Sequence, residues 1–400
     1  MPERGAPWPA VTYEELDWDL PAAVPTARTA RLRHRGPYPA AVVPQIASLT
    51  VHLPPETAAA ADEAAAEVAR FDAELGQEIA PFATVLLRSE AAASSRIENL
   101  TASACAIAEA EVHSHGSHNA ELVVANQRAI RAAVDLVEQI DADAILATHA
   151  ALLNSTNPDD AGRWRNQQVW IGGSDLGPHG ALFVPPHHQR VPFAVADLVA
   201  FVERDDVPVF IHAAIAHAQF ETIHPFADGN GRTGRALVHA HLRHKGVTRN
   251  VTVPVSAGLL VNIDRYFHAL TRYREGDAAP IVEAFADAAF AATTNGRALV
   301  DDLHTIRGDW ADRVKARRDS TAWRVADLLV RHPVVNAALV ASETGVLLPN
   351  VYRALRPLVD AGVVVEFSDQ KRNQLWRAPD VLDALDDFAA RVGRRDRRST

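Results

Sequence analysis

A single cysteine, Cys105, in 400 residues excludes an intramolecular disulfide and fits a reducing compartment. No basic residue adjoins it in sequence, so it reads as a small buried apolar residue and not as a nucleophile. Lysine is almost as scarce. Lys245, Lys315 and Lys371 stand alone, and with no GxxxxGK[ST] run a P-loop nucleotide site is excluded. No stretch of ~18 apolar residues occurs, which leaves no hydropathic membrane helix. The opening MPERGAPWPAVTYEEL lacks the basic start and apolar run of a signal peptide. The expectation is a cytoplasmic protein with no membrane partner.

What the chain has is alanine, leucine and valine at helical spacing, with 48% hydrophobic residues overall. That is enough for globular cores, and the length implies two or three domains, since one core rarely exceeds ~250–300 residues. Net charge is −10, yet residues 311–400 hold 16 Lys/Arg against 12 Asp/Glu. The C-terminal end is thus the part suited to an anionic partner.

The densest chemistry lies at HPFADGNGRTGR, His224 to Arg235. The preceding IHAAIAHAQFETI and the following RALVHAHLRH both have helical periodicity, so a turn feeds a helix start, where backbone amides are open to an anion. Gly229 and Gly231 let the chain approach a phosphate closely. Arg232 and Arg235, three apart, share one helix face. His224 can take a hydroxyl proton near neutrality. Asp228 is a hard oxygen ligand suited to Mg²⁺ on phosphates. The Asn230 side chain and nearby amides would hold phosphate oxygens, with Phe226 anchoring the loop in the core. His187, His188, His239, His241 and His244 lack a metal-site spacing and read as surface or packing residues.

Residues 1–40 are proline-rich and predict an extended arm; 41–120 predict an N-terminal helical domain, and 121–295 the domain bearing the motif. Within the latter, VWI and ALFV around a Gly/Ser/Asp/Pro tip predict a hairpin over 169–184. A linker helix over 296–318 leads to three short helices and two strands over 319–380, the pattern of a winged helix. Its third helix would offer Asn350, Arg353 and Arg356 to DNA, with Lys371 and Arg372 on the wing. Residues 381–400 read as a basic tail.

The motif resembles the Fic family signature HxFx[DE]GNGRxxR at every fixed position: His224, Phe226, Asp228, Gly229, Asn230, Gly231, Arg232 and Arg235. GRWRNQQVWIGG is similar to the family's flap strand and FVPP to its return strand. The resemblance implies a mainly α, Fic-type helical bundle with a β-hairpin flap, here followed by a winged-helix domain. It implies transfer of AMP from ATP, with Mg²⁺, to a hydroxyl side chain of a target protein or of the chain itself. Doc-like members, which transfer phosphate, carry Lys where Gly231 stands. Members often dimerise, so a homodimer is expected. Upstream, Ser94, Glu98 and Asn99 fit the family's inhibitory pattern [ST]xxxE[GN], which implies that Glu98 pairs with Arg235 and hinders productive ATP binding. The alternatives are a DNA-binding regulator using the domain as a nucleotide sensor, or hydrolytic removal of AMP from modified protein.

Overall fold

A computed structural model describes residues 8–21, 23–76, 81–113, 116–136, 139–367 and 374–393. In chain order its elements are β1 (Thr12–Trp18), α1 (Arg28–Arg33), β2 (Gly36–Val42), α2 (Pro55–Gly76), α3 (Pro81–Ile97), α4 (Ala104–His113) and α5 (His118–Asp135). There follow α6 (Ala142–Leu153), α7 (Val191–Val202), α8 (Val209–Ile223), α9 (Asn230–His244), α10 (Val255–Val261), α11 (Ile263–Arg274) and α12 (Ala279–Arg313). The C-terminal part adds α13 (Thr321–Arg331), β3 (Val334–Asn336), α14 (Ala337–Thr344), α15 (Val351–Asp360), β4 (Val365–Glu366), β5 (Leu375–Arg377) and α16 (Pro379–Gly393). No helix among the described residues is long and apolar enough to cross a membrane.

The chain forms two compact units, each assembled from three stretches. The first takes 1–63, 132–245 and 264–286; the second takes 64–131, 246–263 and 287–400. They interleave along the chain, where the sequence reading laid its domains end to end.

The first unit is built around α8. Of its fifteen residues only Val209 and Ala216 are not buried, so its polar side chains need internal partners. They have them. His212 Nε2 bonds the Phe201 carbonyl at 2.7 Å, and His217 Nε2 bonds the Tyr266 hydroxyl at 2.8 Å. Gln219 donates to the Pro44 carbonyl and accepts from the Tyr273 hydroxyl, at 2.9 and 2.8 Å. Helices α7 and α9 pack on α8, and α6 packs on both.

Thr12–Trp18 and Gly36–Val42, expected up to residue 40 within an extended arm, instead form an antiparallel ribbon with Thr12 opposite Val42 and Trp18 opposite Gly36. Val184, on the return side of the expected flap, accepts the Ala41 N–H at 3.0 Å, so the ribbon backs the flap. The flap itself is reduced to single bridges, Ile171 with Phe183 and Ser174 with Gly177. Its tip carries left-handed Gly172, Gly173 and Gly180, which interrupts the ladder. Proline in β2, at Pro37 and Pro39, did not prevent pairing, because a two-stranded ribbon has an open side for each residue that lacks an N–H.

In the second unit, two buried carboxylates tie the chain together. Asp72 accepts N–H bonds from Arg249, Asn250 and Val251 at 2.8–2.9 Å. Glu90 accepts the Ser256 N–H at 2.9 Å at the start of α10, satisfying a first-turn amide. The expected linker helix is a continuation: α12 runs unbroken through Gly296, where an added Cβ would meet Phe71 Cζ at 2.7 Å. That glycine makes room for a ring and does not break the helix. Helices α13 to α15 and the strands follow the expected pattern with one addition. β3 joins the two expected strands in a sheet of order β3-β5-β4. The expected basic tail contains α16, whose Leu382, Leu385, Phe388 and Val392 are buried; residues 394–400 lie outside the described set.

The buried histidines of α8 predict acid sensitivity. Burial pushes His212 down to about 4 and His217 down to about 3. Both folded values lie below the ordinary ~6.5, so the unfolded chain takes up protons first. Stability is therefore unaffected by these groups above pH ~6.5. Below it, stability falls by up to ~1.4 kcal/mol per pH unit for each group until the folded value is reached. Urea unfolding between pH 7.5 and 4.5 should show this loss, with a shallower slope in His212→Gln. A flat profile would show that these sites are solvated.

Candidate functional site

The link from α8 to α9 is a left-handed corner. His224 caps α8 with φ 51° and ψ 62°, and Gly229 precedes α9 with φ 74°. Among the described residues only His224 and Asn99 hold a positive φ without being glycine. For a histidine this conformation is uncommon and costs energy, so something must hold it.

Arg165 does so. Its Nε donates to the His224 carbonyl at 2.8 Å and its Nη1 to Gln167 at 3.0 Å. Nη2 donates to the carbonyls of Pro186 at 2.5 Å and Ile223 at 3.5 Å, while the backbone N–H bonds the Pro225 carbonyl at 3.0 Å. One planar fork thus joins the ends of the flap segment to the corner, a pattern that lysine could not reproduce. Burial pulls the Arg165 guanidinium down to about 10, where it stays charged at neutral pH.

The other end is closed by Asn230. Its side chain accepts the Phe226 N–H at 2.8 Å and donates to the Phe226 carbonyl at 2.9 Å. The side chain expected to hold phosphate oxygens thus closes the loop on itself, with one of its two amide N–H groups outside this pairing. Phe226 is fully buried, stacked on His149 at 3.6 Å between ring centres and on Trp164 at 5.0 Å. It has no surface to offer a nucleotide.

His149 was not singled out in the sequence, since nothing near it in the chain marks it. Its Nδ1 accepts the Gly162 N–H at 3.1 Å, so Nε2 carries the proton and donates to the Asp228 carbonyl at 3.0 Å. Burial first, opposed by that bond, lowers its pKa and keeps it neutral. Above it an added Cβ on Gly229 would meet Leu152 Cδ2 at 2.8 Å, a second reason for glycine there.

His224 is partly exposed, with its Nδ1 buried 3.9 Å from Glu221 Oε2. Burial, then the charges of Arg165 and Arg274, push the imidazole down to about 3. At neutral pH it is unprotonated, the form needed to accept a proton. Asp228 projects outward with 63% of its side chain exposed, 3.5 Å from Arg232 Nη2. Arg232 and Arg235 lie buried in the first turns of α9, and Gly231 sits between Asn230 and Arg232 at its start. The corner thus gathers a neutral base, an open carboxylate, two arginines and a helix N-terminus.

The Fic/DOC family model matches residues 139–242, the stretch that contains this corner, Arg165 and His149. Residues 139–242 form a Fic domain. The chain is 33% identical over 164 residues to a protein of Drosophila yakuba named protein adenylyltransferase Fic, covering 38% of this chain and 29% of that one. It is 32% identical to the protein of that name from Drosophila melanogaster, with the same coverage. The chain spans under a third of the length of these curated relatives. A solved Fic family protein of Desulfovibrio desulfuricans superposes with a TM-score of 0.51 at 22% identity, over 82% of this chain and 97% of that one, a likeness of fold.

Ser94, Glu98 and Asn99 lie in the second unit, outside the Fic domain. Ser94 is buried near the end of α3, which stops at Ile97. Glu98 follows in the closing turn, its N–H bonded to the Ser95 carbonyl at 3.0 Å. Asn99, with φ 61°, is the left-handed residue that ends a helix, which accounts physically for Asn or Gly at that place in the pattern. In α15, Arg353 donates to the Asn350 side chain at 2.9 Å, and Arg356 is 81% exposed beside Asp360. Lys371 and Arg372 lie outside the described residues. Burial and the neighbouring Glu109 raise the pKa of Cys105, which disfavours a thiolate. Among the described residues no group of three or more His, Cys, Asp or Glu could hold a metal ion. His241 packs edge-on against His212.

If Arg165 holds the corner, Arg165→Lys should destabilise the Fic domain by about 2–4 kcal/mol, because several buried carbonyls lose their donor. Urea denaturation measures this. A change under about 1 kcal/mol would mean that water replaces the fork and that the corner is held otherwise.

Proposed function

We propose that this chain is a protein adenylyltransferase that moves AMP from ATP to a hydroxyl side chain of a protein, itself included. The observation that carries this reading is a neutral His224 at a strained corner directly before a helix N-terminus lined with Arg232 and Arg235. The relatives' name agrees with it. With Nδ1 buried, Nε2 is the nitrogen left to take the target hydroxyl proton. The hydroxyl oxygen then bonds to the α-phosphorus of ATP, the bond to the β-bridging oxygen breaks, and pyrophosphate leaves. First-turn amides of α9 and the two guanidiniums would take up charge on the phosphate oxygens. Asp228, one open carboxylate, fits a Mg²⁺ that keeps its other positions for phosphates and water. Bound there, the ion would neutralise charge on the phosphates.

The flap supports a target without choosing it. Its ladder is short and Leu182 is 86% exposed, leaving main chain and one apolar side chain for an extended segment. We further infer that Glu98 restrains the site by pairing with Arg235, a reading that rests on the family pattern of Ser94, Glu98 and Asn99. A homodimer rests on the resemblance alone, and a cytoplasmic home on the single cysteine.

Residues 319–380 we read as a winged helix, for its three helices and antiparallel sheet. DNA is the partner that Arg353 and Arg356 would favour. A regulator that uses the Fic domain only as a sensor has less behind it: Leu347, Leu348 and Tyr352 expose apolar surface around Asn350. Hydrolysis of AMP from a modified target uses the same residues and has no observation of its own.

The test is ATP labelled at the α-phosphate, with Mg²⁺, on wild type, Glu98→Gly, and Glu98→Gly combined with His224→Ala. Label should rise at least tenfold in Glu98→Gly and vanish in the double variant. Label that persists without His224 would overturn its role as base. Anisotropy of a labelled duplex at rising salt tests DNA binding: affinity should fall steeply as salt rises, and no binding at low salt would remove DNA as partner.

A further inference from the structure

Helix α3, which carries Ser94 near its end and leads into Glu98, has a second face that the inhibitory pattern does not use. On that face Arg88, Ala92 and Arg96 line a cavity of about 250 Å³ inside the second unit. Leu385 and Phe388 of α16 form another wall, Ile107 of α4 contributes, and exposed Thr101 stands at the edge. The volume sits just below the ~300–1,000 Å³ usual for small-molecule sites, and the lining is mostly apolar, as such sites are.

The polar groups are unequal in sign. Arg88 is 2% exposed and gives Nε and Nη2 to Glu111 at 2.9 and 2.6 Å, with Nη2 also donating to the Arg331 carbonyl at 3.0 Å. Its Nη1 is buried without a partner among the described residues. Buried donors are nearly always satisfied, so this one points to an acceptor that those residues do not supply. Arg96 donates from Nη1 to the Ala389 carbonyl at 2.8 Å and has no carboxylate partner among the described residues. Asp386 also lines the cavity, but its Oδ1 accepts the Ala104 N–H at 2.9 Å.

We propose that this cavity binds a small monocarboxylate with an apolar chain. The chain would lie against Ala92, Ile107, Leu385 and Phe388, and the carboxylate would accept from Arg88 Nη1, with Arg96 adding a second positive charge to the same lining. A carboxylate forms a charge-assisted bond with a guanidinium N–H that a hydroxyl or amide does not. Such a ligand would set the packing of α3 against α16. Any effect on Glu98 rests on the autoinhibition proposed above, whereas binding does not.

Octanoate is the probe, titrated calorimetrically into the full chain, with octanol as the uncharged control. Expected is saturable one-to-one binding, at least tenfold weaker for octanol and for Arg96→Gln, and absent in Ala92→Phe, which fills the cavity. No saturable binding at millimolar octanoate would overturn the proposal. So would equal binding of octanol, or full binding by a folded Ala92→Phe. Should Ala92→Phe fail to fold, Arg96→Gln and octanol decide. None of these readouts uses nucleotide, so the site can fail while AMP transfer stands, and the reverse.

Discussion

The left-handed corner at His224 is the constraint from which the Fic domain is arranged. A histidine there ends α8, turns the chain, and lets α9 begin six residues later. The conformation is unfavourable by itself, so it exists only because two planar groups over-determine it. Arg165 fixes the carbonyl side and Asn230 closes the amide side. Behind them, His149, Trp164 and Phe226 form one stack that leaves the loop little freedom. Geometry of this kind serves chemistry better than flexibility does, because reacting groups need not be ordered when substrate arrives.

Burial then decides protonation. Helix α8 passes through the core, and both histidines on it and His224 at its end are held neutral by desolvation. For His212 and His217 that is a structural condition, met by a carbonyl and a hydroxyl. For His224 it is a chemical one, and the neighbouring Arg165 and Arg274 reinforce it. The same low-dielectric setting that surrounds the corner keeps the imidazole unprotonated. Arg165 thus acts twice, as a clamp on the backbone and as a charge beside the ring.

The second unit uses a similar economy. Asp72 and Glu90 sit in the core because each satisfies backbone amides that the chain cannot pair elsewhere. Arg88, which lines the cavity, is paired through Nε and Nη2, while its Nη1 is buried with no acceptor among the described residues.

Much of this was legible in the sequence. Helical periodicity gave α8 and α9, the signature gave the residues at the corner, and the turn signals gave the flap and the C-terminal helices. Such features are local: spacing along a helix, a glycine that permits an approach, a residue type suited to phosphate. What the sequence could not supply were partners brought from far along the chain. His149 meets Asp228 across 79 positions and Arg165 meets His224 across 59, and no local pattern records either meeting. Residue type alone points Asn230 at phosphate, and only the folded loop adds its two bonds to Phe226. Gly296 looked like a break until Phe71 occupied the space beside it. The ribbon over 12–42 was hidden by its prolines, whose missing donors matter only once it is known which side of each strand is paired. The amino-acid sequence by itself determined which groups were available and on which elements. Tertiary structure decided which were buried, which were paired and which were left to act, because those outcomes depend on distance in space and on exclusion of water.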